Sequence, residues 1–454
     1  MTADPIEAFA AHVAGTRLSD MPSEAVAAGK VFILDTLGVG IGGSNGPMAR
    51  ELVSAVQANG AGTDARVWAT GERLPSAAAA QVNAYQTHCQ EFDCVHEAAV
   101  AHVMTIVLPA ALALAEREGG VSGADLLEAV ILGVDVAASL GVGAASGLRF
   151  FRPATVGAFG GVAAMGKLRG MDQEALIQSL SLAYGQLCGT MQAHTEGSLL
   201  LAMQMGFNAR NAVTASDFAA AGFTGPRQIL MGDFGYYRLI EDGGTPAEIA
   251  ETLGRDWRIT ELAHKPFPSG RATHGILDGC LALQRAHGFA ASDAQAIDLD
   301  VPPLIQHLVG RPPRAEMAIN YARLCARYVT AAALTGQGVR FEDFTDAAYA
   351  RTDVQDLAGR IALSVREDDP NALAPIGIRI TLKDGTPLET TVTDVYGAPD
   401  NPMTRDAQIE KLHMNADSAR ADFSESAVQN LVAAVDDLEG LSDVTALVDL
   451  TIGT

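Results

Sequence analysis

Apolar residues recur at helical spacing through almost all of the first 262 positions, so this stretch is predicted to be nearly continuous helix. Helix starts are marked at Asp20 before Pro22, at Ser122-x-x-Asp125, which has the form of a capping box, and at Asp172 ahead of Gln-Glu-Ala-Leu. Glycine and alanine crowd positions 130–148 and 154–166. Glycine costs about 1 kcal/mol inside a helix, so its density there predicts helices in close mutual approach. The pattern changes near Lys265. Alternating apolar positions predict short strands at Ala296–Val301, Ile361–Val365, Ile376–Leu382 and Glu389–Thr393, with Lys383-Asp384-Gly385 as a hairpin turn. Helical spacing at Ala272–Gln284 and Tyr321–Leu334 interleaves with them, and after Pro402 it returns at Ala407–Met414, Ser424–Leu438 and Val444–Leu450. The fold class expected is therefore mainly α. A large helical domain is formed by both chain ends (1–263 and 402–454), and a smaller α+β domain is inserted at 264–401.

Composition narrows the function classes. The 454 residues are 48% hydrophobic and 19% charged, an ordinary core-forming balance. With 54 acidic and 31 basic side chains the net charge is −23, which argues against nucleic acid and against anionic membrane surfaces as partners. No apolar run is expected to reach the ~20 residues that span a bilayer. The nearest, Val130–Ala145, carries Asp135. The N-terminus lacks the basic and apolar regions of a signal peptide, so a soluble cytoplasmic protein is expected. Cys89, Cys94, Cys188, Cys280 and Cys325 are too few and too scattered for a disulfide framework.

Candidate chemistry concentrates in Thr-His-Cys-Gln-Glu-Phe-Asp-Cys-Val-His-Glu and the residues just after it: His88, His96 and His102 fall within fifteen residues, with Cys89, Glu91, Asp93 and Cys94 between them. One reading is a metal site, although no second Cys pair and no His-Glu-x-x-His spacing accompanies it. The other is acid–base chemistry, because an aspartate beside a histidine fixes the ring tautomer and raises its basicity. Asp93 and His96, at i and i+3, would share one face of a helical turn. A second constellation is Lys265-Pro-Phe-Pro-Ser-Gly-Arg271-Ala-Thr-His274, a rigid loop leading into a helix start that suits an anion, with His274 as an acid or base. Weaker candidates are Arg149 and Arg152 around Phe150-Phe151, Arg311 and Arg314 ahead of Tyr321, and His194. The glycine pairs Gly42-Gly43 and Gly160-Gly161 follow no predicted strand, so neither is expected to open a dinucleotide-binding turn.

At these residues the chain resembles the MmgE/PrpD family of 2-methylcitrate dehydratases, cis-aconitate decarboxylases and iminodisuccinate epimerases. The likeness runs through Lys30–Gly43, through Asn83, His88, Phe92, Asp93, His102 and Pro109, and through Ala220–Gly225. It continues in Lys265-Pro-Phe-Pro…His274, Tyr321, and Lys383-Asp-Gly…Gly397…Asn401-Pro402…Lys411. The resemblance implies a homodimer whose helical domain and α+β lid enclose an active site for small di- or tricarboxylates, with no metal or other cofactor. It implies Asp93, His102, His274 and Tyr321 as site residues. Two positions depart from the family pattern. Its His-Pro histidine falls here on Phe151 or Arg152, and the lysine of its Gly-Ser-Met-Thr-Lys pattern is Leu201 in Gly197-Ser-Leu-Leu-Leu201. The function expected is a cofactor-independent lyase of dehydratase or decarboxylase type; an epimerase and a catalytically silent metabolite binder are the alternatives. Asp93 would orient His102 or His96, His274 or Tyr321 would act on the opposite face, and Arg271, Arg152 and His194 would hold carboxylates. Asp93, His102 and His274 should then converge within about 10 Å on one pocket.

Overall fold

The computed structural model describes residues 4–366 and 372–454; positions 1–3 and 367–371 of the two expected domains lie outside it. The fold is mainly α. Six helices, Ser23–Gly42, Ser76–His88, Met104–Glu118, Gly123–Val142, Arg152–Leu168 and Leu200–Ala220, pack on one another as the central bundle. Every residue from Met104 to Ala115 is buried, as a helix that is apolar all round requires. Ser122 and Asp172 cap their helices by accepting from the backbone N–H of Asp125 and Ala175, as expected. The glycine-rich stretches meet directly. A Cβ at Gly133 would lie 2.7 Å from the Gly160 carbonyl, and one at Gly160 would lie 2.6 Å from the Gly133 carbonyl. Gly43, at the end of Ser23–Gly42, sits against the Gln86 carbonyl so closely that a Cβ would fall 1.9 Å away.

Two expectations need correction. Residues 1–262 are not pure helix: Ala65–Arg66 pairs with Arg73–Leu74, and Val95–His96 pairs with Leu262–Ala263. Asp93 and His96 therefore share no helical face, because His96 belongs to a strand. Second, Ser23–Asn45 is long and apolar enough to cross a membrane, but it is mostly buried inside the protein, as a core helix is.

The second half carries a four-stranded sheet in the order Ile361–Val365, Ala294–Val301, Ile376–Leu382, Pro387–Val392. The first pair is parallel and the others are antiparallel. Gly385 turns the hairpin at Lys383-Asp384-Gly385 with φ +89°. The helix His274–His287 packs on the last two strands. The C-terminal helices Arg405–Ser418 and Glu425–Asp436 return to Ser23–Gly42. There Lys411 pairs with Asp35 at 2.6 Å and donates to the Phe92 carbonyl at 2.9 Å. The chain's last hundred residues thus hold in place the loop that carries Asp93.

Candidate active site

The helix Ser76–His88 ends at His88, and a loop then carries Glu91 and Asp93 into the strand Val95–His96. This irregular segment is buried, so its polar groups must find partners inside the protein. They find them in one another. Asp93 Oδ2 accepts from His88 Nδ1 at 2.8 Å and from Thr105 Oγ1 at 2.5 Å, and His102 Nδ1 lies 3.3 Å from it. Lys265 Nζ, brought in from 172 residues away, donates to Glu91 Oε2 at 2.9 Å and lies 3.5 Å from Asp93 Oδ1. The Glu91 carboxylate is also 3.6 Å from His88 Nε2.

The two histidines that share Asp93 are driven apart electrostatically. Their rings meet edge to face with centroids 4.9 Å apart. Burial opposes protonation of His88, but Asp93 and Glu91 together outweigh it and raise its pKa. Burial, aided by Lys265 and His88, brings His102 down to about 4 despite Asp93. Burial would raise both carboxyls, but Lys265 and the histidines overcome it, holding Glu91 at about 2 and Asp93 well below the usual range. The neighbours of His102 Nδ1 are the Cys94 carbonyl, at 3.0 Å, and Asp93, both acceptors. Nδ1 therefore carries the proton, and the lone pair of the neutral ring is on Nε2.

These groups open onto a pocket with about 690 Å³ between its walls, open solvent at the mouth included. His88, Glu91, Glu97, His102, His194 and Arg271 supply its polar lining; the rest is largely apolar, including Phe151 and Leu201. Both positions that depart from the family pattern thus face this space. Burial, with Arg311 beside it, lowers His194 to about 4. Its Nδ1 faces Arg311 Nη2 at 3.4 Å, an arrangement that leaves the Nε2–H as a donor. The wall also includes Gly270, Arg271 and Ala272, the opening turn leading into His274–His287, where the first N–H groups have no intrahelical partner.

The structure brings Asp93, His102, His194 and Arg271 to the pocket or directly behind it, and leaves four expected residues outside its wall. His96 Nε2 donates to Glu261 at 2.7 Å, and its Nδ1 accepts from the Ala99 N–H. Arg152 is buried against Glu241, at 3.0 Å from each carboxylate oxygen, and against the Ser146 carbonyl. Tyr321 donates to the Pro312 carbonyl and lies under Arg311 and Arg314. His274 backs Arg271 and contacts the Ser269 carbonyl; burial and that arginine hold its pKa well below the usual value. Arg271 reaches the wall, but its donors are already engaged by Glu97 at 2.5 Å and by the His264 and Tyr396 carbonyls.

His88, Glu91 and Lys265 are the members that sequence reasoning left uncommitted, although all three stood in the quoted motifs. Donor atoms of His88, Asp93 and His102 lie within 4.8 Å of one another, close enough to hold a metal ion. The Lys265 ammonium beside Asp93 already supplies a positive charge there.

Comparison with known proteins is consistent over the chain. The MmgE/PrpD N-terminal domain matches residues 7–249 and the MmgE/PrpD C-terminal domain matches residues 267–438. A cis-aconitate decarboxylase of Mus musculus is 27% identical, covering 98% of this chain and 93% of its own. The Homo sapiens enzyme of that name is 27% identical over 98% and 94%. One from Aspergillus terreus (strain NIH 2624 / FGSC A1156) is 27% identical over 95% and 92%.

Proposed function

Because the chain belongs to the MmgE/PrpD family, we propose that it is a cofactor-independent lyase that transfers a proton at a carbon next to a carboxylate of a small carboxylic acid. The observation that supports this most is the opposed titration of His88 and His102 about one aspartate. Two groups whose environments push their pKa values apart are the usual mark of an acid and a base in one site. Neutral His102 offers Nε2 as the acceptor, and protonated His88 is the donor. In an elimination, His102 takes the proton, the C–H pair becomes the new double bond, and the leaving group departs with the proton of His88. In a decarboxylation, the C–C pair released with carbon dioxide stays on the carbon skeleton, and His88 supplies the proton that it needs. The decarboxylase names of the relatives favour the second. The N–H groups of Arg271 and Ala272 and the ring of His194 are suited to the substrate carboxylate.

The test is incubation with cis-aconitate and a panel of related acids in D2O, followed by NMR. Deuterium entering a C–H position, with loss of a carboxylate or new olefinic signals, is expected; His88→Gln abolishes it in a decarboxylation and His102→Gln in an elimination. Binding across the panel without any chemical change would instead mark a silent binder. Metal analysis is a second check: stoichiometric zinc in the active protein would replace the cofactor-free reading with a His88–Asp93–His102 centre. We also take the protein to be a homodimer. The apolar Leu200, Phe218 and Phe223, exposed at the two ends of one helix, support this, and light scattering tests it.

A further inference from the structure

We infer that the substrate carries a hydrocarbon substituent longer than a methyl group, seated against Leu148, Phe151, Met191, Leu201, Leu304 and Leu308. This rests on the lyase reading above and names its substrate class. The six side chains come from four separate parts of the chain, yet all line the same pocket, and Phe151 and Leu201 are 5% and 1% exposed. A wall this apolar gives a carboxylate no partner, and an unpaired carboxylate loses its hydration there without compensation. The charges present point the same way. Arg271 is the only arginine or lysine in the pocket's lining among the described residues, and Glu97 neutralises it. Glu91 adds a negative charge that is already balanced by Lys265. His102, His194 and the turn at Arg271 and Ala272 are therefore where ionised groups gather, and the six apolar side chains are left for carbon. One methyl group cannot touch all six.

The test uses cis-aconitate and synthetic homologues bearing one-, two- and four-carbon alkyl substituents, with binding read by calorimetry and turnover by NMR. Each buried methylene should tighten binding by roughly fourfold, so the four-carbon acid should bind on the order of 100-fold better than cis-aconitate. Leu201→Lys should flatten or reverse that series by placing a cation in the wall, and Leu201→Met should preserve it. If cis-aconitate is turned over and affinity is flat or falls with alkyl length, the substituent inference is overturned and the lyase reading stands. If the alkyl acids bind in the expected order without chemical change, the wall is assigned correctly and the lyase reading fails. Absence of binding by every acid overturns both.

Discussion

His88 and His102 touch the same carboxylate, but their surroundings raise the pKa of one and lower that of the other. Activity should therefore have two limbs. It falls on the acid side as His102 gains a proton, near about 4, and on the alkaline side as His88 loses one, above the ordinary histidine value. A pH profile of kcat/KM checks both limbs, and His88→Gln should remove the alkaline one. Asp93→Asn should cost about 10²–10⁴ in kcat with KM little changed, because it removes the acceptor shared by both rings and Thr105. Lys265→Met should do something different: it leaves Glu91 and Asp93 buried without their cation and should destabilise the fold by about 3–5 kcal/mol, read by denaturant unfolding. The histidine-rich string was legible as chemistry in the sequence, but the choice among its members was not. Their partners are remote: Lys265 selects Glu91 and Asp93, whereas Glu261 takes His96 out of the site and Glu241 does the same to Arg152.

At the scale of elements, the site depends on where helices end. Ser76–His88 delivers His88 from its last residue, and two residues earlier its Gln86 carbonyl packs on Gly43. Gly43→Ala would drive a Cβ into that backbone, and backbone cannot swing away as a side chain can. We expect a loss of about 1–3 kcal/mol and reduced activity. Gly185→Ala, whose Cβ would meet nothing closer than 3.7 Å, should leave both unchanged. Thermal melts and kinetics of the two variants make the comparison. Long elements were legible because period and caps speak locally: Ser122, Asp172 and all four strands of the larger sheet lie where the pattern puts them, within a few residues. The pair Val95–His96 with Leu262–Ala263 was not legible. A two-residue strand has no period, and it exists only because a segment about 165 positions away meets it. Glycines crowded inside predicted helices were likewise legible as packing, but not as which helix each one admits.

For the whole molecule, burial of neutral histidines makes acid its weak side. His102, His194 and His264 all fall to about 4, each chiefly by burial, and burial also holds His274 well below the usual value. In the unfolded chain each titrates near about 6.5. Between those values the unfolded state binds protons that the folded state refuses. Their contribution to stability is thus complete above about 6.5 and is lost as pH falls toward 4, at up to about 1.4 kcal/mol per pH unit for each histidine. His88 has the opposite sign: its raised pKa contributes fully below about 6.5 and is lost as pH rises. Asp278, raised to about 6 by burial, has the same sign as His88, and these two do not offset four. The net charge of −23 also works against the trend, since acid relieves self-repulsion, but that relief waits for ordinary carboxyls to titrate near about 4. Between pH 6.5 and 5 the histidines therefore decide the slope. Melting temperature should drop steadily over this interval, with proton uptake on unfolding measurable by calorimetry in buffers of different ionisation enthalpy. His264→Phe, outside the pocket and already stacked on Phe32, should shallow the slope without changing the activity profile. A melting temperature that is flat from pH 6.5 to 5 would mean that these rings are protonated in the folded protein, and His102 could then not serve as the base.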